Sequence, residues 1–190
     1  MINNIRHCTP FHISKWDEVK ELFAGLENKA NPNGQVFFIS EQTKQKISNL
    51  IIEDIRKAFD PNTILDQGMV FCQPSKKIRE HVIHVDGTEQ DRSNYFKYAL
   101  NIPILNCAQG EMVWYGGDYE LELVDNKLDV GAGLGKYFNI KWNSEPVPIE
   151  SKVLDTPHIV RIDVPHQVIN HSDNYRIMLT TRFRPDIMFL

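Results

Sequence analysis

The sequence is short of several things, and each shortage removes a class of protein. It has three cysteines, Cys8, Cys72 and Cys107, odd in number and far apart. A disulfide scaffold or a thiolate zinc site needs more thiols at closer spacing, so neither is expected. A reducing, cytoplasmic setting is the matching expectation. Basic residues are not in excess: 21 Lys and Arg against 25 Asp and Glu leave a net charge of −4. A dedicated nucleic-acid binder normally carries the opposite balance, so nucleic acid is an unlikely partner. No apolar run approaches the roughly 20 residues of a membrane-spanning helix. Residues 1–10 hold Arg6 and His7 but no apolar stretch, so neither a secretory leader nor a membrane partner is expected. Internal repeats and low-complexity tracts are also missing.

What remains is an ordinary globular composition, 42% hydrophobic and 24% charged over 190 residues. That excludes bulk disorder. A single domain over 1–190 is expected, with 1–62 as an N-terminal helical support and 63–190 as a β core. In the N-terminal part Ser14 is placed to cap a helix, with Asp17 as the answering acid and Trp16, Val19, Leu22 and Phe23 at helical spacing. Residues 31–34 (Asn-Pro-Asn-Gly) read as a turn and 36–39 as a short strand. Ser40 can cap a second helix, whose apolar stripe is Ile47, Leu50, Ile51, Ile55 and Phe59 and which Asp60-Pro61 ends.

From Thr63 the period changes. Short β-rich runs recur at 64–73, 80–85, 95–105, 111–115, 119–124, 137–142, 148–154, 158–162, 167–170 and 175–183, punctuated by turn residues. No helical pattern intervenes, so parallel βαβ winding is not expected. The fold class is mainly β with N-terminal helices, and the spacing suggests a sandwich or jelly roll. An immunoglobulin-like sandwich is the alternative, but the Cys…Trp…Cys spacing of that fold is missing.

The segment richest in chemistry is His81-Val82-Ile83-His84-Val85-Asp86-Gly87. Alternate side chains on a strand share a face, so His84 and Asp86 point one way and His81 the other. An imidazole and a carboxylate so placed can chelate one cation, and the donor set suits Fe(II), Mn(II) or Zn(II). A lone His-x-Asp is more often a plain hydrogen-bonded pair. A third ligand is available in His166 at the start of a late strand, since chain-distant strands lie side by side in a jelly roll. Ten positions later stands Arg176, sharing a face with Met178 and Thr180 if the strand runs on. Two histidines and one carboxylate leave open positions on a metal. A guanidinium on the next strand is a fixed fork for a carboxylate.

This order resembles the motif of the Fe(II)/2-oxoglutarate-dependent oxygenases: His-x-Asp, a long β-rich interval, His, then Arg. The stretch 64–183 matches it in order and spacing. The texture around Pro165, His166, Val168, Asn170 and Arg176 looks like the aspartyl/asparaginyl β-hydroxylase branch. The resemblance implies a double-stranded β-helix (jelly roll, cupin-like) core. It implies His84, Asp86 and His166 as catalytic iron ligands and Arg176 as partner of the distal carboxylate of 2-oxoglutarate. It also implies O2 as co-substrate, with succinate and CO2 formed as an amino acid, peptide or protein side chain is hydroxylated. Tyr98 and Asn101 fall where 2-oxoglutarate contacts are found in that family, and Thr180 is placed to hydrogen-bond the same carboxylate as Arg176. Alternation allows only one of Tyr98 and Asn101 to face inward unless a bulge intervenes. Trp114 reads as a pocket wall or a core residue. Arg161 and Arg182 are alternative clamps, and Arg92 in the polar loop 87–94 could meet an anionic substrate. A cupin-like metal enzyme that does not use 2-oxoglutarate, or a jelly-roll binding module, would carry the same pattern.

Overall fold

The computed structural model describes residues 7–26, 34–75, 82–86, 96–125 and 136–187. Strand β1 (Cys8–Pro10), helix α1 (Trp16–Glu21), strand β2 (Gln35–Phe38) and helix α2 (Glu41–Ala58) come first. Nine strands follow: β3 (Ile64–Gln73), β4 (Tyr98–Leu105), β5 (Gly110–Gly116), β6 (Tyr119–Asp125), β7 (Lys136–Trp142), β8 (Val147–Val153), β9 (His158–Arg161), β10 (His166–Asn170) and β11 (Arg176–Arg184). The chain is mainly β, as the alternating pattern led one to expect. No described helix is long and apolar enough to cross a membrane.

All strand pairings among the described residues are antiparallel. A large sheet runs β1-β9-β4-β11-β3-β2, a small one β10-β5-β8, and β6 and β7 form a separate ribbon. Past β4 the chain keeps crossing between the two main sheets. The isolated His84–His166 bridge adds a short fourth segment beside β10.

Strand parity divides the core in two. Ile177, Leu179 and Phe183 of β11 join Leu100 and Ile102 of β4 and Ile47, Ile51 and Ile55 of α2 in a cluster on the helix side of the large sheet. Met178 instead joins Ala99, Met112, Trp114, Leu154 and Val160 in the cluster between the sheets. By the same period of two, Arg176, Thr180 and Arg182 enter the inter-sheet space with Met178.

The helices hold the outer face. Ser40 caps α2 as expected, its Oγ accepting from the Thr43 amide at 3.2 Å. Ser14 does not cap α1. The residue before that helix is Lys15, with no side-chain cap, and both the amide and the hydroxyl of Ser14 donate to Asp54 Oδ2 on α2. A bond that fastens one helix to the other has displaced the local cap. Nor is the N-terminal part only helical support, because β1 and β2 form the two edges of the large sheet. His81, Arg92 and loop 87–94 lie outside the described residues.

Candidate metal centre

Three strand rules bring the cluster together. His84 and His166 are directly opposite in an antiparallel bridge, each amide donating to the other's carbonyl at 2.9 Å. Opposite residues share a face, so both imidazoles project the same way, with ring centroids 4.4 Å apart. Asp86, two residues beyond His84, joins them, and its amide is held by the Ile162 carbonyl at 3.0 Å. Asp86 Oδ1 then stands 3.3 Å from His84 Nε2 and 4.0 Å from His166 Nε2. All three ligand atoms lie within 4.8 Å of one another. Metal bonds to such donors are ~2.1 Å, so one ion between them needs only a small closing of the widest gap.

The tautomers are set for this. His84 Nδ1 donates to the Val82 carbonyl at 3.0 Å, and His166 Nδ1 donates to the Val164 carbonyl at 2.9 Å. Each bond fixes the proton on Nδ1 and leaves the Nε2 lone pair for a cation, the role of outer contacts around metal-binding histidines. Arg182 donates to the far oxygen, Asp86 Oδ2, at 3.1 Å. That leaves Oδ1 turned to the two nitrogens.

Electrostatics follow the same arrangement. Burial pushes the Asp86 carboxyl up, but the His84 hydrogen bond and the Arg182 charge outweigh it and hold the acid well below the usual carboxylate range. Burial opposes a charge on His84, yet the Asp86 carboxylate leaves its pKa raised. His166 is 2% exposed. Burial first, and the neighbouring His84 second, lower its pKa to about 4, so it is a neutral ligand at ordinary pH.

Arg176 lies deeper between the sheets. Its Nη1 donates to Gln73 Oε1 at 2.9 Å, while Nε, fully buried, has no hydrogen-bond partner. Burial lowers its pKa, and among the described residues no carboxylate pairs with it. Gln73 is fixed in turn: its Nε2 donates to the Val168 carbonyl at 2.6 Å, two residues along β10 from His166. That spacing is about 7 Å along a strand. Gly110 makes room, since a Cβ there would lie 2.7 Å from Arg176 Cδ and 2.8 Å from Nε.

The remaining sequence candidates divide cleanly. Thr180 donates to Asn101 Oδ1 at 2.8 Å, and both are buried in the inter-sheet space. Tyr98 is not brought to them; it packs on the helix-side cluster, on the opposite face of β4. Trp114 is wholly buried, its indole N–H donating to the Arg161 carbonyl. Arg161 pairs with Asp163 at 2.7 Å. His7, which has no evident partner in the sequence, binds Glu150 at 2.7 Å and stacks on Trp114. Gln73, Gly110 and the Asp86 contact of Arg182 escaped sequence reasoning. The available signal was an amide on the inward face of a strand otherwise lined by Met69 and Phe71.

No protein-family model matches the chain, and no curated protein matches it.

Proposed function

We propose that the protein is an Fe(II)- and 2-oxoglutarate-dependent dioxygenase that hydroxylates an amino acid, a peptide or a protein side chain. One observation carries the reading: a buried guanidinium without a carboxylate partner among the described residues lies a short strand length from a two-histidine, one-carboxylate cluster. A buried cation lacking an anion favours an anionic ligand. 2-Oxoglutarate offers two carboxylates, one for the metal cluster and one for Arg176. The crossing of strands between two antiparallel sheets supports a double-stranded β-helix as the scaffold.

In this reading His84, Asp86 and His166 hold the iron and leave neighbouring positions open. Iron with 2-oxoglutarate and O2 supplies the oxidising power for hydroxylation when bound. The chain's own part is to fix geometry. Val82 and Val164 keep the imidazole protons on Nδ1, Arg182 orients Asp86, and Gln73 steadies Arg176 so that its remaining donors meet the distal carboxylate. The apolar residues between the sheets, Met112, Trp114 and Met178 among them, exclude water from that region.

The test is succinate formation from 2-oxoglutarate over a panel of amino acids and peptides, with and without Fe(II). His84→Ala and His166→Ala should abolish metal uptake and turnover. Arg176→Ala should keep the metal but lose 2-oxoglutarate binding in calorimetry of Mn(II)-loaded protein. The Arg176–Gln73 hydrogen bond favours a second reading, a cupin-like metal enzyme in which Arg176 is structural. Metal uptake without any 2-oxoglutarate binding would select that reading and refute the first.

A further inference from the structure

The small sheet ends at β8, and its outer edge pairs with no described strand. Edge strands are normally kept short, charged or covered, because unpaired backbone groups recruit another strand. β8 is seven residues long and exposed at every position but Glu150. Val147, Ile149 and Val153 are 58%, 53% and 41% exposed, an unusual concentration of large apolar side chains on one edge.

The order of residues on that edge is self-complementary. Ile149-Glu150-Ser151-Lys152-Val153 reads apolar, acid, hydroxyl, base, apolar. We propose that β8 is the interface of a two-fold dimer, in which two copies of this chain pair their β8 edges antiparallel about Ser151. That register sets Ser151 opposite its counterpart and Glu150 opposite Lys152 of the second copy. The Glu150–Lys152 contact occurs twice and the Ser151 pair sits on the axis, as a two-fold interface requires. A shift of one residue either way removes the charge match and sets apolar residues opposite charged ones, so the sequence specifies one register.

Ser151 and Val153 lie opposite Val113 and Glu111 of β5, on the outer face, whereas Glu150 and Lys152 lie opposite Trp114 and Met112, on the inner face. Ile149 is the extra residue of a β-bulge between Glu150 and Pro148 and lies over Gly116 on the inner side, so the charged pair and Ser151 carry the register. Glu150 Oε2 accepts from His7 at 2.7 Å. The bulge at Ile149 and then Pro148, with no N–H, end the shared ladder beyond Glu150. The product is a continuous six-stranded sheet, β10-β5-β8 followed by β8-β5-β10 of the second copy. The dimer is independent of the metal centre and of any activity assigned to it.

Sedimentation velocity across the micromolar range tests this on the full chain. Wild type should sediment as a dimer of about 44 kDa, twice 22.0 kDa. Lys152→Glu sets acid against acid, and Glu150→Lys sets base against base. Each should raise the dimer dissociation constant at least about tenfold. Mixing the two variants restores both charge pairs, so the mixture should dimerise where neither does alone. Ser151→Cys provides a check that leaves the charges intact. Opposed Cα atoms at about 4.5–5.5 Å are within disulfide reach, so this variant should cross-link under mild oxidation and wild type should not. A monomeric wild type, a dimer indifferent to both charge variants, or a Ser151→Cys chain that does not cross-link would each overturn the proposal.

Discussion

On the proposed function, Gly110→Ala is the smallest change that should separate metal binding from 2-oxoglutarate binding. The added methyl would lie 2.7 Å from Arg176 Cδ and 2.8 Å from Arg176 Nε. Carbon contacts are comfortable at about 3.5–4.0 Å, so the overlap approaches 1 Å against the middle of the side chain, not its flexible end. The backbone of Arg176 has little room to retreat, because β11 is paired with β3 on one side and β4 on the other. The guanidinium must swing, at an overpacking cost of roughly 1–3 kcal/mol. Taken from the interaction with the distal carboxylate, that is about a ten- to hundredfold weaker affinity for 2-oxoglutarate. The metal should be unaffected. Gly110 pairs with Asn170, four residues along β10 from His166, a separation of about 13 Å. The assay is calorimetric titration of Mn(II)-loaded protein with 2-oxoglutarate, beside a separate metal titration. Unchanged 2-oxoglutarate affinity and unchanged urea stability in Gly110→Ala would refute the argument. Equal loss of metal and 2-oxoglutarate binding would show that the two sites are not separable in this way.

Three further outcomes are expected. Arg182→Met removes the partner of Asp86 Oδ2; metal affinity should fall about 10- to 100-fold, read by competition with a chelating dye. Ser40→Ala removes the cap of α2 and should cost about 1 kcal/mol in urea denaturation, with the far-ultraviolet spectrum preserved. His158 is buried, and burial lowers its pKa below the usual value. An unfolded chain takes up the proton near pH 6.5, while the folded one resists it. Stability should therefore fall as pH drops below about 6.5, until the lowered native pKa is passed. His158→Phe should flatten that slope in urea midpoints measured at pH 7 and pH 5.

Much of the local structure was legible because it rests on short-range rules. The run 64–73 coincides with β3 as observed, and the period of two placed Arg176, Met178 and Thr180 on one face of β11. Ser40 was readable as a cap because nothing distant competes for its hydroxyl. Ser14 was not, since Asp54, forty residues on, takes both of its donors. β1 was missed for a related reason. Three residues ending in proline carry no period, and only their pairing with Val160, Ile159 and His158 makes them a strand.

The site shows the same boundary at finer grain. Parity alone sends Arg176 and Arg182 into the same space, so the choice of Arg176 over Arg182 as the clamp rests on the motif spacing and not on strand alternation. Sheet register separates their roles. Arg182 stands opposite Gln67 and reaches Asp86, whereas Arg176 stands opposite Gln73, beside the Gly110 backbone. One guanidinium is committed to a cluster carboxylate. Both keep a buried Nε without a hydrogen-bond partner, but Arg176 has no carboxylate beside it among the described residues and is held by Gln73 instead. Tyr98 and Asn101 repeat the lesson: adjacency in the motif suggested both, alternation permitted one, and the Thr180 hydroxyl identifies Asn101 as the inward residue. Which side chains converge is thus a short-range property of strands. What each one does after converging depends on pairings some eighty to a hundred residues apart in the chain, and those had to be seen.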